Sequence, residues 1–223
     1  MEWLPDVVLH YSKAHYYANM AIIMLLGYHA AMIIGSVACS DGERNALLTF
    51  KETAVEADSG GWLASWLVNA GSARDCCLWR GVRCNSAAAV TGLLLSNCAG
   101  LDPTDRSVLQ RLHEDNALQG VLKPNVVTAM AAGLPALSRL DLGCHLFHGS
   151  IPPQIGNLTS LAYIDLSFQG QSPPLSGPLP ASLWSLPNLS YLDLRYNSLQ
   201  ESLPDTISNS TSLSTLLLAT NNL

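Results

Sequence analysis

Charge is scarce in this 223-residue chain: Asp, Glu, Lys and Arg together make up 13% of it, the net charge is −6, and no run of one sign occurs. The basic stripe that a nucleic-acid partner requires is therefore missing, and no such partner is expected. Aromatics are few, at 7% with three Phe. No glycine-rich phosphate loop and no lysine-bearing kinase signature is present. His113-Glu114-Asp115 lacks the second histidine of a zinc-protease helix. His10, His15 and His29 lie in or before an N-terminal apolar run, and His145 and His148 have no catalytic partner at a recognisable spacing. The residues thus speak against an enzyme, a bound metal and any cofactor.

A long clean apolar run is also missing. Met20–Ala38, MAIIMLLGYHAAMIIGSVA, is broken by Tyr28 and His29 and ends in the small-x-small pattern Ser36-Val37-Ala38. It is marginal for the ~20 residues that span a bilayer, and it reads as a signal peptide over 1–38 cut after Ala38. A transmembrane helix is the competing reading. The preceding residues carry Asp6 and Lys13 and are unlike a signal, which makes Met20 an alternative start. Cleavage leaves Cys39 at the mature N-terminus and places all six cysteines in an oxidising compartment.

Four of the six cysteines sit in residues 39–89. DCCLWRGVRC, from Asp75 to Cys84, holds an adjacent pair, Cys76 and Cys77, and adjacent cysteines rarely bond each other because the bridge needs separated Cα atoms. The connectivity stays open on sequence alone. Upstream, Ser40 and Glu43 fit a capping box that opens a helix, and Leu47, Phe50 and Ala54 recur at helical spacing. A block this small needs disulfides to hold its core.

The second half repeats itself. Leu134–Asn157 (LPALSRLDLGCHLFHGSIPPQIGN), Leu158–Ser185, Leu186–Asn209 and Ser210–Leu223 align on Leu140, Ile164, Leu192 and Leu216, at intervals of 24, 28 and 24 residues. This is the leucine-rich repeat pattern LxxLxLxxNxL, whose unit cannot bury its apolar face without a neighbour. Period-two alternation points Leu140 and Leu142 inward and Arg139, Asp141 and Gly143 outward. Asn197 and Asn221 occupy the turn-closing Asn position, and His145 replaces it in one repeat. In the next, the extra residues of GQSPP are expected to displace it. Val90–Cys98 reads as a further strand with Leu93 and Leu95 inward and Cys98 in the Asn slot. Residues 99–116 read as an insertion with a short helix around Ser107–His113, and Val126–Gly133 as a helical turn. About five repeats fill 90–223, the last one truncated.

Two signatures converge on one family. SGPLP (Ser176–Pro180) and HGSIPPQIGNL (His148–Leu158) resemble the extension typical of plant extracellular leucine-rich repeats. Cys39, ERNALLTFK, LASW and CCLWRGVRC resemble the plant leucine-rich repeat N-terminal cap, closest to receptor-like proteins of the cell surface. The resemblance implies an α/β solenoid with a parallel β-sheet on its concave face and a disulfide-stapled helical cap. Carried over by position, it implies the bridges Cys39–Cys76 and Cys77–Cys84. Cys98 and Cys144 lie at or beside the Asn slot; they are expected as unpaired buried thiols, and pair only if the insertion loops out.

The same resemblance implies a recognition module on the extracellular side, secreted or at the plasma membrane. It would serve a receptor-like protein or receptor kinase in defence or development and bind a protein or peptide ligand, with a co-receptor kinase as a further partner. Membrane association would come only through a C-terminal segment missing here. The alternative is a secreted inhibitor of cell-wall-degrading enzymes, similar to polygalacturonase inhibitors. Candidate ligand-facing residues are Arg139, Asp141, Tyr163, Asp165, Tyr191, Asp193 and Arg195, with the three Asp expected as an acidic column. Three sequons, at Asn157, Asn188 and Asn209, fall just before strands and are candidate glycosylation sites.

Overall fold

In the computed structural model the described residues are 38–67, 75–98, 117–170 and 173–223. The expected signal peptide, the insertion at 99–116 with its helix, and His10, His15, His29 and His113 lie outside them. The chain from Ala38 opens with helix α1 (Asp41–Thr49). Glu43 accepts the backbone N–H of Ser40 at 2.8 Å, and the Ser40 hydroxyl accepts that of Glu43 at 3.2 Å, which completes the capping box. Glu43 is itself buried and accepts the N–H of Val90 at 2.7 Å, so the cap of the helix also ties it to the first repeat.

The helix widens into a π turn at Phe50–Ala54 and runs into β1 (Val55–Asp58), a strand with no counterpart in the sequence reading. Leu47, Phe50 and Ala54 face inward and are fully buried. Trp66 stacks on Trp79 at 5.4 Å and donates its indole N–H to the carbonyl of Arg80. The Lys51 ammonium donates to the carbonyls of Leu63 and Trp66. Two bridges staple this block, Cys39–Cys76 and Cys77–Cys84, with Cα atoms 5.7 and 5.6 Å apart. The doublet therefore sends its sulfurs in opposite directions, one to the start of the helix and one across the turn that buries Trp79 to Cys84 on β2 (Val82–Cys84).

Beyond the cap the chain is a solenoid of two sheets. Strands β3 (Val90–Leu94), β5 (Arg139–Asp141), β7 (Tyr163–Asp165), β9 (Tyr191–Asp193) and β11 (Thr215–Leu217) pair in parallel, with Leu93, Leu140, Ile164, Leu192 and Leu216 in one row. On the second side β4 (Leu118–Val121) pairs with β6 (Leu146–His148) and β8 (Ser176–Gly177) with β10 (Ser198–Leu199), the two short ladders being joined by the single bridge Gly149–Leu175. Helix α2 (Pro124–Gly133) and the 3₁₀ turns Pro153–Asn157, Ala181–Ser185 and Asp205–Asn209 form the other flank. Leu93, Leu95, Leu140, Leu142, Ile164, Leu166, Leu192 and Leu194 are buried between them, each stabilising by about 1.5–3 kcal/mol relative to exposure. Leu213, Leu216 and Leu218 at β11 are half-buried.

The cap closes the first repeat by adding an antiparallel strand to each sheet: β1 pairs with β4 and β2 with β3. Unpaired strand edges and the open end of the core are thereby covered. The fit is tight at Gly120, where a Cβ would lie 1.9 Å from the carbonyl oxygen of Ala54. Gly120→Ala must push the two strands apart, and is expected to cost about 1–3 kcal/mol. Urea denaturation checks this; an unchanged midpoint would mean that the β1–β4 contact contributes nothing.

Five residues past each strand's central residue sits the turn-closing slot. Asn197 donates to the carbonyls of Leu166 and Leu194, and Asn221 to those of Leu194 and Leu218. The second of these repeats departs from the sequence expectation. Gln169 fills the slot, donating to Leu142 and Ser167 and accepting from Phe147 N–H, so the extra residues do not displace it. His145 serves by its ring: Nδ1 accepts from Leu118 N–H, and Nε2 bonds the carbonyl of Leu95. One residue earlier, Cys144, Phe168, Tyr196 and Thr220 adopt φ between 54° and 61°, a left-handed conformation that turns the chain out of each strand.

A second departure concerns the remaining cysteines. Cys98 and Cys144, expected as free thiols, are joined, with Cα atoms 5.2 Å apart. The reason is register: β3 pairs directly with β5 across the insertion, which brings the slot of the first repeat beside the turn of the next.

Candidate ligand-binding face

Parallel register converts period-two alternation into rows across the outer face of the first sheet. One row holds Arg139, Tyr163, Tyr191 and Thr215, and the next holds Asp141, Asp165, Asp193 and Leu217. Six of the seven candidate residues stand in these rows, and Arg195, just past β9, joins them through Asp193. In the first row the Arg139 guanidinium lies 3.5 Å from the Tyr163 ring centre. The rings of Tyr163 and Tyr191 stack at 4.3 Å, within 1° of parallel. A cation and two aromatic rings form one continuous pile.

The acidic row is not the open column that alternation implies. Asp193 is 1% exposed and Asp141 8%. Arg195 grips Asp193 through Nε and Nη2, the latter at 2.7 Å, and Arg139 reaches Asp141 at 3.1 Å. The longer tyrosines and arginines lie over the short carboxylates, and each buried charge takes a cation as its partner because an unpaired one would be costly. The half-exposed set is Arg139, Tyr163, Asp165, Tyr191 and Arg195.

Asp165 differs from its neighbours. Its Oδ1 accepts from the Ser167 N–H at 3.0 Å and hydroxyl at 2.6 Å, and the Tyr163 hydroxyl stands 3.5 Å from Oδ2. Burial raises its pKa above the ordinary carboxylate value, opposed by the Ser167 bonds and aided by Asp193 and Asp141. Burial and then Asp165 and Asp141 likewise push the Tyr163 phenol up, and burial and Asp193 raise Tyr191. Hydrogen bonding to Asp193 raises the Arg195 guanidinium further. At neutral pH both phenols therefore keep their protons and remain donors. The face offers two hydroxyls, two guanidinium groups and flat aromatic area, held in place before any ligand arrives.

The other sequence-derived positions lie apart from this face. Asn157, Asn188 and Asn209 are exposed on the flank that carries the 3₁₀ turns. His145 is buried in the cap junction, and His148 on β6 stands 3.9 Å from Glu56 of β1. Among the described residues no group of three or more His, Cys, Asp or Glu could hold a metal ion, and no helix is long and apolar enough to cross a membrane.

Residues 40–85 match the leucine-rich repeat N-terminal domain. Receptor-like protein 13 of Arabidopsis thaliana is 30% identical over 174 residues, covering 70% of this chain and 16% of the relative. The brassinosteroid LRR receptor kinase BRL3 of Oryza sativa subsp. japonica is 36% identical over 138 residues, covering 59% of this chain and 11% of the relative. The chain thus spans less than a fifth of either relative. The crystal structure of PEPR1–AtPEP1 superposes with a TM-score of 0.64 at 26% identity, over 82% of this chain and 22% of that one.

Proposed function

We propose, from the premise of a leucine-rich repeat solenoid with a plant-type N-terminal cap, that this chain is the recognition module of a cell-surface receptor-like protein or receptor kinase. It acts outside the cell, performs no chemistry of its own, and binds a protein or peptide ligand, with a co-receptor kinase as a second partner. The observation that carries the reading is the Arg139–Tyr163–Tyr191 pile with Arg195 beside it. Rigid aromatic and guanidinium groups bring large contact area with little rotamer entropy left to lose, which is why Tyr and Arg dominate binding hot spots. The three disulfides and the receptor-like relatives support the extracellular setting. An inhibitor of cell-wall-degrading enzymes is the less favoured reading, because those relatives are a receptor-like protein and a receptor kinase.

The test is a screen of secreted plant peptides and receptor ectodomains for binding to the chain, repeated with Tyr163→Ala/Tyr191→Ala. Binding is expected to weaken by about 2 kcal/mol or more in the variant, roughly thirtyfold in Kd, as for a central hot-spot pair. Equal affinity of the two proteins for every hit would remove this face from the proposal.

A further inference from the structure

Helix α2 and the 3₁₀ turn that follows β6 leave a shallow cleft of about 90 Å³ on the flank away from the strand faces, lined by Ala131, Leu134, Pro135, Asn157, Leu158, Thr159 and Ser160. A complete sequon, Asn157-Leu158-Thr159, thus forms part of its wall. We propose that Asn157 carries an N-linked glycan whose first N-acetylglucosamine seats in this cleft and clamps α2 to the next repeat. Attachment joins the Asn157 Nδ2 to C1 of a lipid-diphosphate-linked oligosaccharide of the secretory pathway; the amide loses one proton and the lipid diphosphate leaves. The inference rests on the extracellular reading above.

The cleft suits a sugar ring in both its chemistry and its edges. Pro135 is exposed and Ala131 half-buried, and they offer apolar surface to the C–H side of a pyranose, while Thr159 and Ser160 place hydroxyls beside them; Leu134 and Leu158 lie buried beneath. Ser160 donates its hydroxyl to the Pro135 carbonyl at 2.6 Å, which holds the two sides of the cleft in place. A ring already tethered at Asn157 loses little further freedom on settling there, so modest contact suffices.

The two other sequons differ in their surroundings, although near Asn209 Ser212 donates to the Pro187 carbonyl at 2.7 Å as Ser160 does to Pro135. Asn209 lies seven residues before Leu216, as Asn157 lies seven before Ile164. Opposite it, however, the position that corresponds to Ala131 holds Leu183, nine residues before its strand centre as Ala131 is before Leu140. Leu183 is fully buried on a 3₁₀ turn, whereas Ala131 is half-buried on helix α2. Asn188 is displaced by three residues, and its amide already donates to the carbonyl of Thr159 at 3.0 Å, a bond that a glycan would have to share or break. Asn157 combines exposure with an adjoining cleft.

The experiment uses the whole chain secreted from cells that attach high-mannose glycans. Glycopeptide masses first report occupancy at each sequon, with Asn157 expected to be occupied. In the variant Asn188→Gln/Asn209→Gln, an endoglycosidase then leaves one sugar on Asn157, while an amidase removes all of them by hydrolysing the side-chain amide, which leaves an aspartate at 157 in the sugar-free form. The one-sugar form is expected to melt about 3 °C above the sugar-free form, the shift that a weak clamp gives a domain of this size. Ala131→Leu, which fills the cleft with the sequon intact, is expected to abolish that difference. Occupancy at Asn157 with equal melting of the two forms overturns the clamp, and so does an unchanged difference in Ala131→Leu. Glycans at Asn188 or Asn209 with none at Asn157 overturn the inference and leave the extracellular reading standing. Retention in the cell with no sequon modified overturns the extracellular reading itself.

Discussion

Replacing Cys98 and Cys144 together by alanine is expected to lower the melting temperature by roughly 10 °C. Their bridge closes a loop of 46 residues, and the chain-entropy model assigns such a loop about 4 kcal/mol. For a domain of this size each kcal/mol moves the midpoint by about 2–4 °C. Loop length decides the ranking among the bridges. Cys77–Cys84 closes only 7 residues and comes out at about 2 kcal/mol, so its removal is the milder change. Calorimetry of the two double variants checks both values. A loss at Cys98–Cys144 no larger than at Cys77–Cys84 would mean that the insertion between β3 and β5 is already restrained without the bridge. The bridge also does the work of a ladder rung, because Cys98 stands in the slot where later repeats place an amide.

Acid is expected to destabilise the protein through His145. Burial is the largest influence on this ring and lowers its pKa from 6.5 to about 4; the hydrogen bond to Leu95 and the charge of Asp58 oppose it. In the unfolded chain the imidazole takes up a proton near 6.5, whereas the folded one resists until about 4. The folded state is therefore fully favoured above about 6.5, and stability is lost as pH falls from there towards 4. The shift corresponds to about 3 kcal/mol across that window, undiminished by solvent because the side chain is fully buried. His145→Asn supplies the amide used at the same slot in later repeats and carries no titrating group. Between pH 4 and 6.5 the unfolding midpoint of the native protein should rise more steeply than that of the variant, and above 6.5 the two profiles should run parallel. Profiles that stay parallel below 6.5 as well would show that His145 does not govern the acid limb. Asp165, whose raised pKa contributes in the opposite sense, cancels in that comparison.

His145 shows how a slot can be legible while its occupant is not. Its position five residues past Leu140 marks it as a turn-closing residue, and an imidazole with one donor and one acceptor can meet two backbone groups. That the ring is sealed beneath the cap, edge-on to Trp62 at 5.4 Å, depends on residues 83 positions upstream. Gln169 is legible by the same count, five residues past Ile164, since glutamine differs from asparagine by a single methylene and the extra residues of GQSPP follow it.

Local spacing was enough for the strands, their inward leucines and the capping box of α1, because periods of 2 and 3.6 are properties of the chain itself and survive without a partner. The parallel rows followed too, since identical units stack in register when each needs its neighbour to cover the same apolar stripe. Three things were settled by distant parts of the chain meeting. The antiparallel seals β1–β4 and β2–β3 exist because an open solenoid end must be covered by whatever strand lies close, and Val55–Asp58 has no strong strand pattern of its own. The Cys98–Cys144 bridge forms because β3 and β5 pair across 99–116, a fact about which elements are adjacent. The carboxylates of Asp141 and Asp193 sink beneath their neighbours because Arg139 and Arg195 fold over them. Alternation fixes the side of a sheet on which a side chain begins; the length and charge of the residues around it fix whether it meets water.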